Sequence, residues 1–517
     1  MKDDVFGTPP AETRPEPKPE VVPETGLETV IEQNTFFGHP RGLKTLFFTE
    51  MWERFSYYGM RALLVLFMTD LIVSGGRGMD VERATAIYGL FTFGVYALAL
   101  PGGWIADKLL GQRKSVLYGG IGIAVGQFML AIPAAGLFYP GLVMIALGTG
   151  LLKPNVSAIV ADLYPEGGAR RDAGFSIFYM GINVGALVAP LLCSFLGENV
   201  NWHLGFLAAG LGMTFGIIQY VIGWKNLGNA GWLKGEAGEP EAKARAMRGF
   251  IMGMGLVLLL TTVFIVLLTS NIIAITLVTF ARSAGVIVLI LALIYFTVLI
   301  IFGCRDSVER KRVALIGVLF IGAAMFWSGF EQAGTSMNLF ARDYANRMVF
   351  GWEMPAGFLQ AVNPLFIIIL APVVGSFWIW LGNRNPSLGV KFGFGLALLG
   401  IGFLVMSWAS TYAENGVVSP MWLVATYFFH TIGELALSPV GLSAITKLSP
   451  ERFVSQMMGI WFLGAALGNL IAGLVAGLIE TMPLPGLFST VAFIVIGSGA
   501  LFLVFSRPIA KLAGGIK

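Results

Sequence analysis

Charged residues are scarce in this chain: they make up 12% of its 517 residues. Ordinary soluble domains contain about 25%. Hydrophobic residues make up 56%. Apolar runs of about 20 residues, the length needed to cross the hydrocarbon core of a bilayer, recur along the whole sequence. This pattern excludes an ordinary soluble domain and predicts an all-α polytopic membrane protein.

Cysteine and histidine are also nearly missing. The two cysteines, Cys193 and Cys304, have no metal-type spacing and indicate no disulfide framework. The histidines His39, His203 and His430 lie too far apart in sequence to match a metal site. There is no Walker A loop, no Gly-x-Ser-x-Gly and no dinucleotide fingerprint. We therefore expect neither a cofactor nor an ATP-driven pump, since no linker is long enough to fold into a nucleotide-binding domain.

Hydropathy predicts fourteen membrane spans. They cover residues 46–72, 82–108, 114–133, 138–162, 173–196, 203–224, 249–269, 273–302, 313–341, 357–381, 390–411, 419–446, 454–478 and 486–506. The first forty residues are rich in Pro and Glu and are predicted to form a disordered cytosolic tail. They lack the basic start and apolar core of a cleavable signal.

Basic residues concentrate in every second loop, which predicts that these loops and both termini face the cytoplasm. Five of these basic residues lie in one polar linker: Lys225, Lys234, Lys243, Arg245 and Arg248. The predicted organisation is a tail at 1–42, a six-helix bundle at 43–224, a cytosolic linker at 225–248, two accessory helices at 249–304, a second six-helix bundle at 305–510 and a cytosolic end at 511–517.

A weak internal repeat relates the two bundles. Leu152-Lys153-Pro154 corresponds to Leu437-Ser438-Pro439 at an offset of 285 residues, and the pair Gly181/Gly185 corresponds to Gly464/Gly468 at an offset of 283. Together these matches favour two six-helix halves of the same direction, as in major facilitator transporters. The two spans between the halves are then accessory and lie away from the substrate.

Seven charges lie inside predicted spans. Four belong to the first span and three to separate spans: Glu50, Glu53, Arg54 and Arg61, then Lys153, Glu331 and Glu434. On a helix, the four charges of the first span share an arc of about 140° with Tyr57 and Tyr58. A charge at bilayer depth costs about 2.5–3.5 kcal/mol on insertion scales, so such charges indicate a functional site. We expect all seven to meet in one cavity between the halves.

The seven charges sum to −1, and a proton on one carboxylate would neutralise the excess, since burial favours protonation. A zwitterionic ligand would then add no net charge. The alternative is that these charges only form structural pairs between helices. Asn183 and Asn363 also lie mid-span, where an interhelical bond is the alternative role. Four aromatic residues are candidates to line a pocket or to serve in packing: Tyr96, Phe178, Trp327 and Trp461.

Several motifs in order resemble those of the proton-dependent oligopeptide transporter family, the peptide transporter branch of the major facilitator superfamily. They are Glu50-x-x-Glu53-Arg54-Phe55-x-Tyr57-Tyr58-Gly59, Gly102-Gly103-x-x-Ala106-Asp107, Gly150-Leu151-Leu152-Lys153-Pro154-Asn155, Phe178-Tyr179-x-x-Ile182-Asn183-x-Gly185, Trp327-x-x-x-Glu331-Gln332 and Gly433-Glu434-x-x-x-Ser438-Pro439-x-Gly441-Leu442-Ser443. The resemblance covers about residues 40–510. Bacterial members are similar in having two extra helices between the bundles.

The resemblance implies proton-driven import of di- and tripeptides across the inner or plasma membrane. Its implied partners are peptides, protons and the lipid bilayer, with no nucleic acid and no obligate protein partner. The residues implied to hold the peptide carboxylate are Arg61, Lys153, Tyr57, Tyr58 and Tyr96. Those implied to hold the amino group are Asn183, Asn363 and Glu434.

Proton coupling is implied for Glu50, Glu53 and Arg54. Glu331 is implied to pair with Lys153 or Arg61 and to take part in proton movement, while Trp327, Trp461 and Ser438 shape side-chain pockets. Many animal members carry a histidine after the tyrosine of the second helix. Here Tyr88 is followed by Gly89, so coupling is expected to use carboxylates.

Three alternatives remain at this stage. A nitrate or other small-anion symporter is the first, although Glu434 would repel an anion. A transport-inactive membrane receptor for peptides is the second, although no sensor domain is present. A membrane enzyme is the third, although no nucleophile–base or metal constellation supports it.

Overall fold

The computed structural model describes residues 36–166, 168–233, 239–270 and 275–513. Long helices dominate this part of the chain. In order they are α1 Arg41–Thr69, α2 Val81–Ala97, α3 Ala99–Ile105, α4 Gln112–Ala131, α5 Phe138–Asp162, α6 Gly168–Asn199, α7 Trp202–Ile222, α8 Pro240–Thr269, α9 Leu277–Val298, α10 Ser307–Phe330, α11 Ser336–Asp343, α12 Val362–Leu381, α13 Leu388–Ala413, α14 Met421–Leu448, α15 Val454–Ala476, α16 Leu484–Val504 and α17 Ser506–Leu512. One antiparallel hairpin, β1 Met348–Val349 with β2 Trp352–Glu353, lies between α11 and α12.

Twelve helical segments of the described residues are long and apolar enough to cross a membrane, where the sequence predicts fourteen. The two predicted spans absent from that count are both helical. One is α1, whose 29 residues include four of the seven charges. The other is α8, which has 30 residues and begins nine residues before the predicted start at 249. The total of fourteen therefore stays a prediction.

Most of the predicted tail and short parts of four other predicted segments lie outside the described residues. These parts are 1–35 of the tail, residue 167 of the first bundle, 234–238 of the linker with Lys234, 271–274 of the accessory region and 514–517 of the cytosolic end. Residues 36–39 form a tight turn closed by a bridge between Phe36 and His39. The helix α1 begins immediately after this turn, at Arg41.

The two halves repeat the same helix contacts. Pro154 and Pro439 lie inside α5 and α14, the fourth span of each half. An added Cβ on Gly185 of α6 would overlap the carbonyl oxygen of Met51 in α1. An added Cβ on Gly468 of α15 would lie 2.8 Å from the carbonyl oxygen of Ala324 in α10. Glycine thus lets the fifth span pack closely on the first in each half, as small residues do in membrane bundles.

The halves meet along α2 and α15, where Gly89 lies against the backbone of Leu470. The accessory helix α9 covers this seam, because Ala281 packs between Ala86 of α2 and Leu470 of α15. Arg282 of α9 also pairs with Glu82 at 3.2 Å. This accessory helix is therefore on the outside of the seam between the halves.

We call the side at which α1 ends the distal side, and the side at which it begins the proximal side. Within the part of the chain that the structure describes, the hydrogen bonds and ion pairs between the two halves lie at the level of Arg61 or farther toward the distal side. They join Arg61 to Glu331, Asn338 to Ala62, Arg342 to Thr69, and Glu198 to Ala356 and Gly357. These hydrogen bonds and this ion pair therefore hold the two halves together on the distal side.

Candidate functional site

Arg54 lies between two carboxylates on the buried face of α1. Its Nε is 3.1 Å from Glu50 Oε1 and 2.5 Å from Glu53 Oε2. All three side chains are almost completely buried. One guanidinium thus serves two carboxylates, which leaves this group with a net charge of −1 when both carboxylates are ionised. A proton on either carboxylate would balance the group.

Arg61 connects the two halves one helical turn beyond Tyr57. Its Nε donates a hydrogen bond to Tyr88 Oη at 2.8 Å, and its Nη2 is 3.0 Å from Glu331 Oε2. Its guanidinium also lies over the ring of Tyr58, 5.5 Å from the centroid. The resemblance left Glu331 a choice between Lys153 and Arg61, and the structure pairs it with Arg61.

Glu331 lies where the first span of the second half is interrupted. The helix α10 ends at Phe330, a 3₁₀ turn covers Glu331–Gly334, and α11 follows from Ser336. Such broken helices are typical of transporter binding sites. Only a glycine leaves enough space at position 334, because an added Cβ on Gly334 would overlap Tyr88 Oη and lie 3.0 Å from Arg61 Nε.

Lys153 has an aromatic partner. Its Nζ lies 3.8 Å from the centroid of the Tyr96 ring. Within the described residues it forms no ion pair at 4 Å or less, although the charges of Glu53 and Glu331 act on it from farther away. A cation–π contact leaves the ammonium donors available, so Lys153 can bind an anionic group.

Glu434 of α14 is held by Asn363 of α12. Asn363 Nδ2 donates to Thr431 Oγ1 at 2.9 Å and to Glu434 Oε2 at 3.3 Å. Among the described residues, Glu434 has no cation within ion-pair distance, although Arg61 and Glu331 act on it electrostatically. It is the carboxylate counterpart of Lys153, on the opposite half.

The seven charges thus lie on four helical spans and influence one another electrostatically. We call Glu50, Glu53, Arg54, Arg61, Lys153, Glu331 and Glu434 the charged cluster. The cluster is divided between the halves. Its four α1 residues and Lys153 lie on the first half, and the carboxylates Glu331 and Glu434 lie on the second. In the described residues, no group of three or more His, Cys, Asp or Glu side chains is placed to hold a metal.

The other predicted site residues have mixed surroundings. Asn183 Nδ2 donates to the Tyr179 carbonyl of its own helix at 3.0 Å, and this bond uses one of its donors. Tyr57 is buried beneath Arg54, with 5.5 Å between the guanidinium and the ring centroid. Ser438 and Trp327 are half-buried, one on α14 and the other on α10. Their predicted roles stay predictions.

Two predicted pocket residues are packed into apolar cores. Phe178 is 4% exposed and belongs to a cluster that includes Leu43 and Leu46. Trp461 is 5% exposed and fills the space beside Gly441. For these two, the structure supplies packing contacts, and a pocket-lining role stays a prediction.

Sequence reasoning missed several residues that hold the charged cluster or join the halves. Tyr88 and Thr431 accept hydrogen bonds from site residues, and Asn338 Nδ2 donates to the Ala62 carbonyl at 2.8 Å. Asn338 lies inside a predicted span, so the signal that selected Asn183 applies to it equally. The hydroxyl partners gave no comparable signal, because Tyr and Thr are common in membrane helices.

A comparison with protein families identifies the family to which this chain belongs. The model of the POT family matches residues 113–490, which is most of the chain. This protein belongs to the POT family. The match includes three of the seven cluster residues, Lys153, Glu331 and Glu434, whereas α1 with the other four lies before it.

Curated POT relatives match nearly end to end. The "Uncharacterized transporter YclF" of Bacillus subtilis (strain 168) is 42% identical over 488 residues, which cover 94% of this chain and 97% of the relative. The "Peptide transporter YePEPT" of Yersinia enterocolitica is 40% identical, with 92% and 96% covered. The "Di-/tripeptide transporter" of Lactococcus lactis subsp. cremoris is 37% identical, with 94% and 99% covered.

Solved POT structures have the same fold. A crystal structure of a peptide transporter POT in complex with sulfate superposes with a TM-score of 0.86 at 42% identity. The match covers 94% of this chain and 98% of that one. The predicted major facilitator fold and the predicted family are therefore confirmed, and the chain is a multi-pass membrane transporter.

Proposed function

We propose that this protein is a proton-coupled symporter that imports di- and tripeptides by alternating access. The observation that carries the proposal is the placement of Lys153 and Glu434 on opposite halves, each without an oppositely charged side chain at ion-pair distance among the described residues. The names of the Yersinia and Lactococcus relatives, which describe transport of peptides or of di- and tripeptides, support the same substrate class.

The two groups suit the ends of a short peptide. Peptides of any sequence share a carboxylate, an ammonium group and an amide between them. Lys153 and Arg61 would bind the carboxylate, and Glu434 with Asn363 would bind the ammonium group. Because these two binding groups belong to different halves, a bound peptide gains contacts when the halves approach each other. Only such differential binding can shift the balance between two conformations.

Protons would enter through the carboxylates of the charged cluster. Glu50 and Glu53 share one guanidinium, and Glu331 shares Arg61 with Tyr88. Protonation of Glu331 would weaken its pair with Arg61 and so weaken a bond between the halves. The cycle requires no metal or organic cofactor besides the coupling proton.

The orientation follows from the distribution of basic residues. We place the proximal side and both termini in the cytoplasm and the protein in the inner or plasma membrane. On that basis the bonded distal side faces outward, and the structure corresponds to a state closed to the outside. Peptides and protons would be the partners of the transporter, within lipid and without an obligate protein partner.

Uptake by purified protein tests the proposal. Proteoliposomes with an imposed inward proton gradient should accumulate labelled dialanine, and a protonophore should abolish the accumulation. Protein-free liposomes are the control. Failure to accumulate dialanine or other di- and tripeptides under a verified gradient would rule the proposal out.

Binding of the peptide ammonium group by Glu434 can be tested separately. Glu434→Ala should abolish or severely weaken binding of free-amine peptides, because the ammonium group loses its carboxylate partner. An N-acetylated peptide should compete poorly with the free peptide in the wild-type protein. Equal competition by the two peptides would show that Glu434 does not bind the amine.

A further inference from the structure

The end of α6 contacts the 3₁₀ segment that leads into α12, on the distal side. Glu198, near the C-terminus of α6, belongs to the first half. Its Oε2 accepts a hydrogen bond from the Ala356 amide at 2.7 Å, and its Oε1 accepts one from the Gly357 amide at 2.9 Å. These amides open the 3₁₀ segment Ala356–Ala361, which leads into α12 of the second half. One carboxylate thus uses both oxygens to join the halves.

The amides and arginines around Glu198 stabilise its charged form, whereas its burial opposes the charge. Backbone amides at the start of a helical segment have no partner within the segment and carry partial positive charge. Hydrogen bonds from such amides to an ionised acceptor are about twice as strong as neutral ones. Arg342 and Arg347 also act on Glu198 from the second half. Arg342 and Arg347 are themselves paired with Asp343 and Glu353, within the second half.

The backbones approach closely at the same place. An added Cβ on Gly357 would overlap Ser194 Oγ and lie 3.2 Å from Glu198 Oε1. Ser194 lies one helical turn before Glu198, and its Oγ makes no hydrogen bond within the described residues. Gly357 therefore permits the two halves to close to hydrogen-bonding distance, and Ser194 contributes packing alone.

We propose that the contact of Glu198 and Ser194 with Ala356 and Gly357 is a latch that holds the distal side closed. The inference rests on the proposed alternating-access function and deepens it. Glu198 is a positioning residue: it lies at the distal end of α6, outside the charged cluster, and sets how often the distal side opens. The latch adds two hydrogen bonds from backbone amides to a carboxylate, at a point of the interface separate from the ion pair of Arg61 with Glu331.

Spin-label distances measure the latch directly. The labels are attached to V73C, after α1, and M348C, in the hairpin before α12, since both native side chains are exposed. The background carries C193A and C304A, which replace the two buried native thiols. In this background Glu198→Gln removes the charge and one of two acceptors. The ratio of distally open to distally closed molecules should rise roughly tenfold, as expected for a lost hydrogen bond to a charged group.

A steric variant tests the same contact without changing charge. Gly357→Ala should also lengthen the distance between the labels, because its methyl group overlaps Ser194. The double variant S194G/G357A should restore the wild-type distance by making room for that methyl group. Glu414→Gln is the matched control, because Glu414 is an exposed carboxylate at the distal end of α13 and takes no part in this contact. It should leave the distance unchanged.

Wild-type distances in both Glu198→Gln and Gly357→Ala would overturn the latch. If Glu198→Gln does not purify as a folded protein, Gly357→Ala and its rescue decide the question on their own. The distance measurement needs no substrate. A wild-type protein that fails to take up dialanine would therefore overturn the proposed function, whereas transport by the wild type with unchanged distances in the variants would overturn the latch alone.

Discussion

The ion pair of Arg61 and Glu331, 3.0 Å long, joins the first half of the protein to the second inside the apolar core. Both side chains are buried, with at most 6% of each exposed. Removing one member of a buried pair leaves an uncompensated charge, which costs about 3–5 kcal/mol, whereas replacing both members is far milder.

Arg61→Met should therefore lower the thermal stability of the purified protein markedly, because Glu331 remains without its cation. Glu331→Gln should also lower the thermal stability, because Arg61 remains without its carboxylate. The double variant R61M/E331Q should recover most of the loss while remaining unable to transport. A double variant that is destabilised by the sum of the two single losses would show that the pair is not energetically coupled.

Glu53→Gln should separate transport from its driving force. The substitution removes a carboxylate beside Arg54 and with it a proton-binding group of the charged cluster. We expect loss of gradient-driven accumulation and retention of peptide counterflow, both measured in the same proteoliposomes. Unimpaired accumulation by this variant would remove Glu53 from the coupling role.

Lys153→Gln should weaken binding of peptides that have a free carboxylate. Among the described residues, the Lys153 ammonium group has no carboxylate at ion-pair distance, so it is available to bind that of the peptide. Peptides with an amidated C-terminus should bind the variant and the wild type with similar affinity. Lys391→Gln is the control, because Lys391 also contacts an aromatic ring, that of Trp378 at 5.1 Å, without belonging to the charged cluster. Equal losses in the two variants would point to a general effect of removing a buried lysine.

Gly185→Ala should destabilise the first half. The added methyl group overlaps the Met51 carbonyl oxygen, and overpacking of this kind costs about 1–3 kcal/mol. Gly497→Ala in α16 is the control, because its methyl group would have open space around it. Thermal unfolding in one detergent compares the two. A wild-type melting temperature for Gly185→Ala would contradict the close packing of α1 on α6.

His39 should titrate below its ordinary pKa of 6.5. Burial lowers the pKa of its imidazole, and the charge of Arg170 lowers it further. Its Nδ1 lies 2.8 Å from Tyr164 Oη. Because the folded chain binds this proton more weakly than the unfolded chain, the contact contributes stability above pH 6.5, which is lost as the pH falls through the lowered pKa.

NMR of histidine-labelled protein measures this pKa, and with three histidines in the chain His39→Gln assigns the signal. Tyr164→Phe keeps the ring and removes the hydroxyl, so it separates the contribution of the hydrogen bond from that of burial. A pKa at or above 6.5 for His39 in the wild-type protein would contradict the expected direction.

The sequence correctly predicted helices at the positions of all fourteen spans, and it showed which charges lie inside them, for a physical reason; the roles of these charges stay predictions. Charge is costly at bilayer depth, so Lys153 and Glu434 stand out against their apolar neighbours without any knowledge of the fold. The repeat of Gly185 and Gly468 likewise helped to predict two halves of the same direction. These signals depend on composition and spacing along single helices.

Pairings across helices were harder to predict, because they depend on how helices cross. The sequence offered Glu331 two cations and could not choose Arg61. Glu198 lies just beyond a predicted span that ends at 196, where charge is ordinary, and its partners are backbone amides that have no residue signature. Phe178 had the right residue type for a pocket, but whether a membrane aromatic lines a cavity or fills a core is decided by neighbours from other helices.

A structure of the protein with bound dialanine tests the central claim most directly. The account predicts that the peptide carboxylate lies within hydrogen-bonding distance of Lys153 Nζ and the ammonium group within the same distance of a Glu434 carboxylate oxygen, so that one ligand touches both halves. A dialanine bound to residues of one half alone, or with its ends reversed, would contradict it.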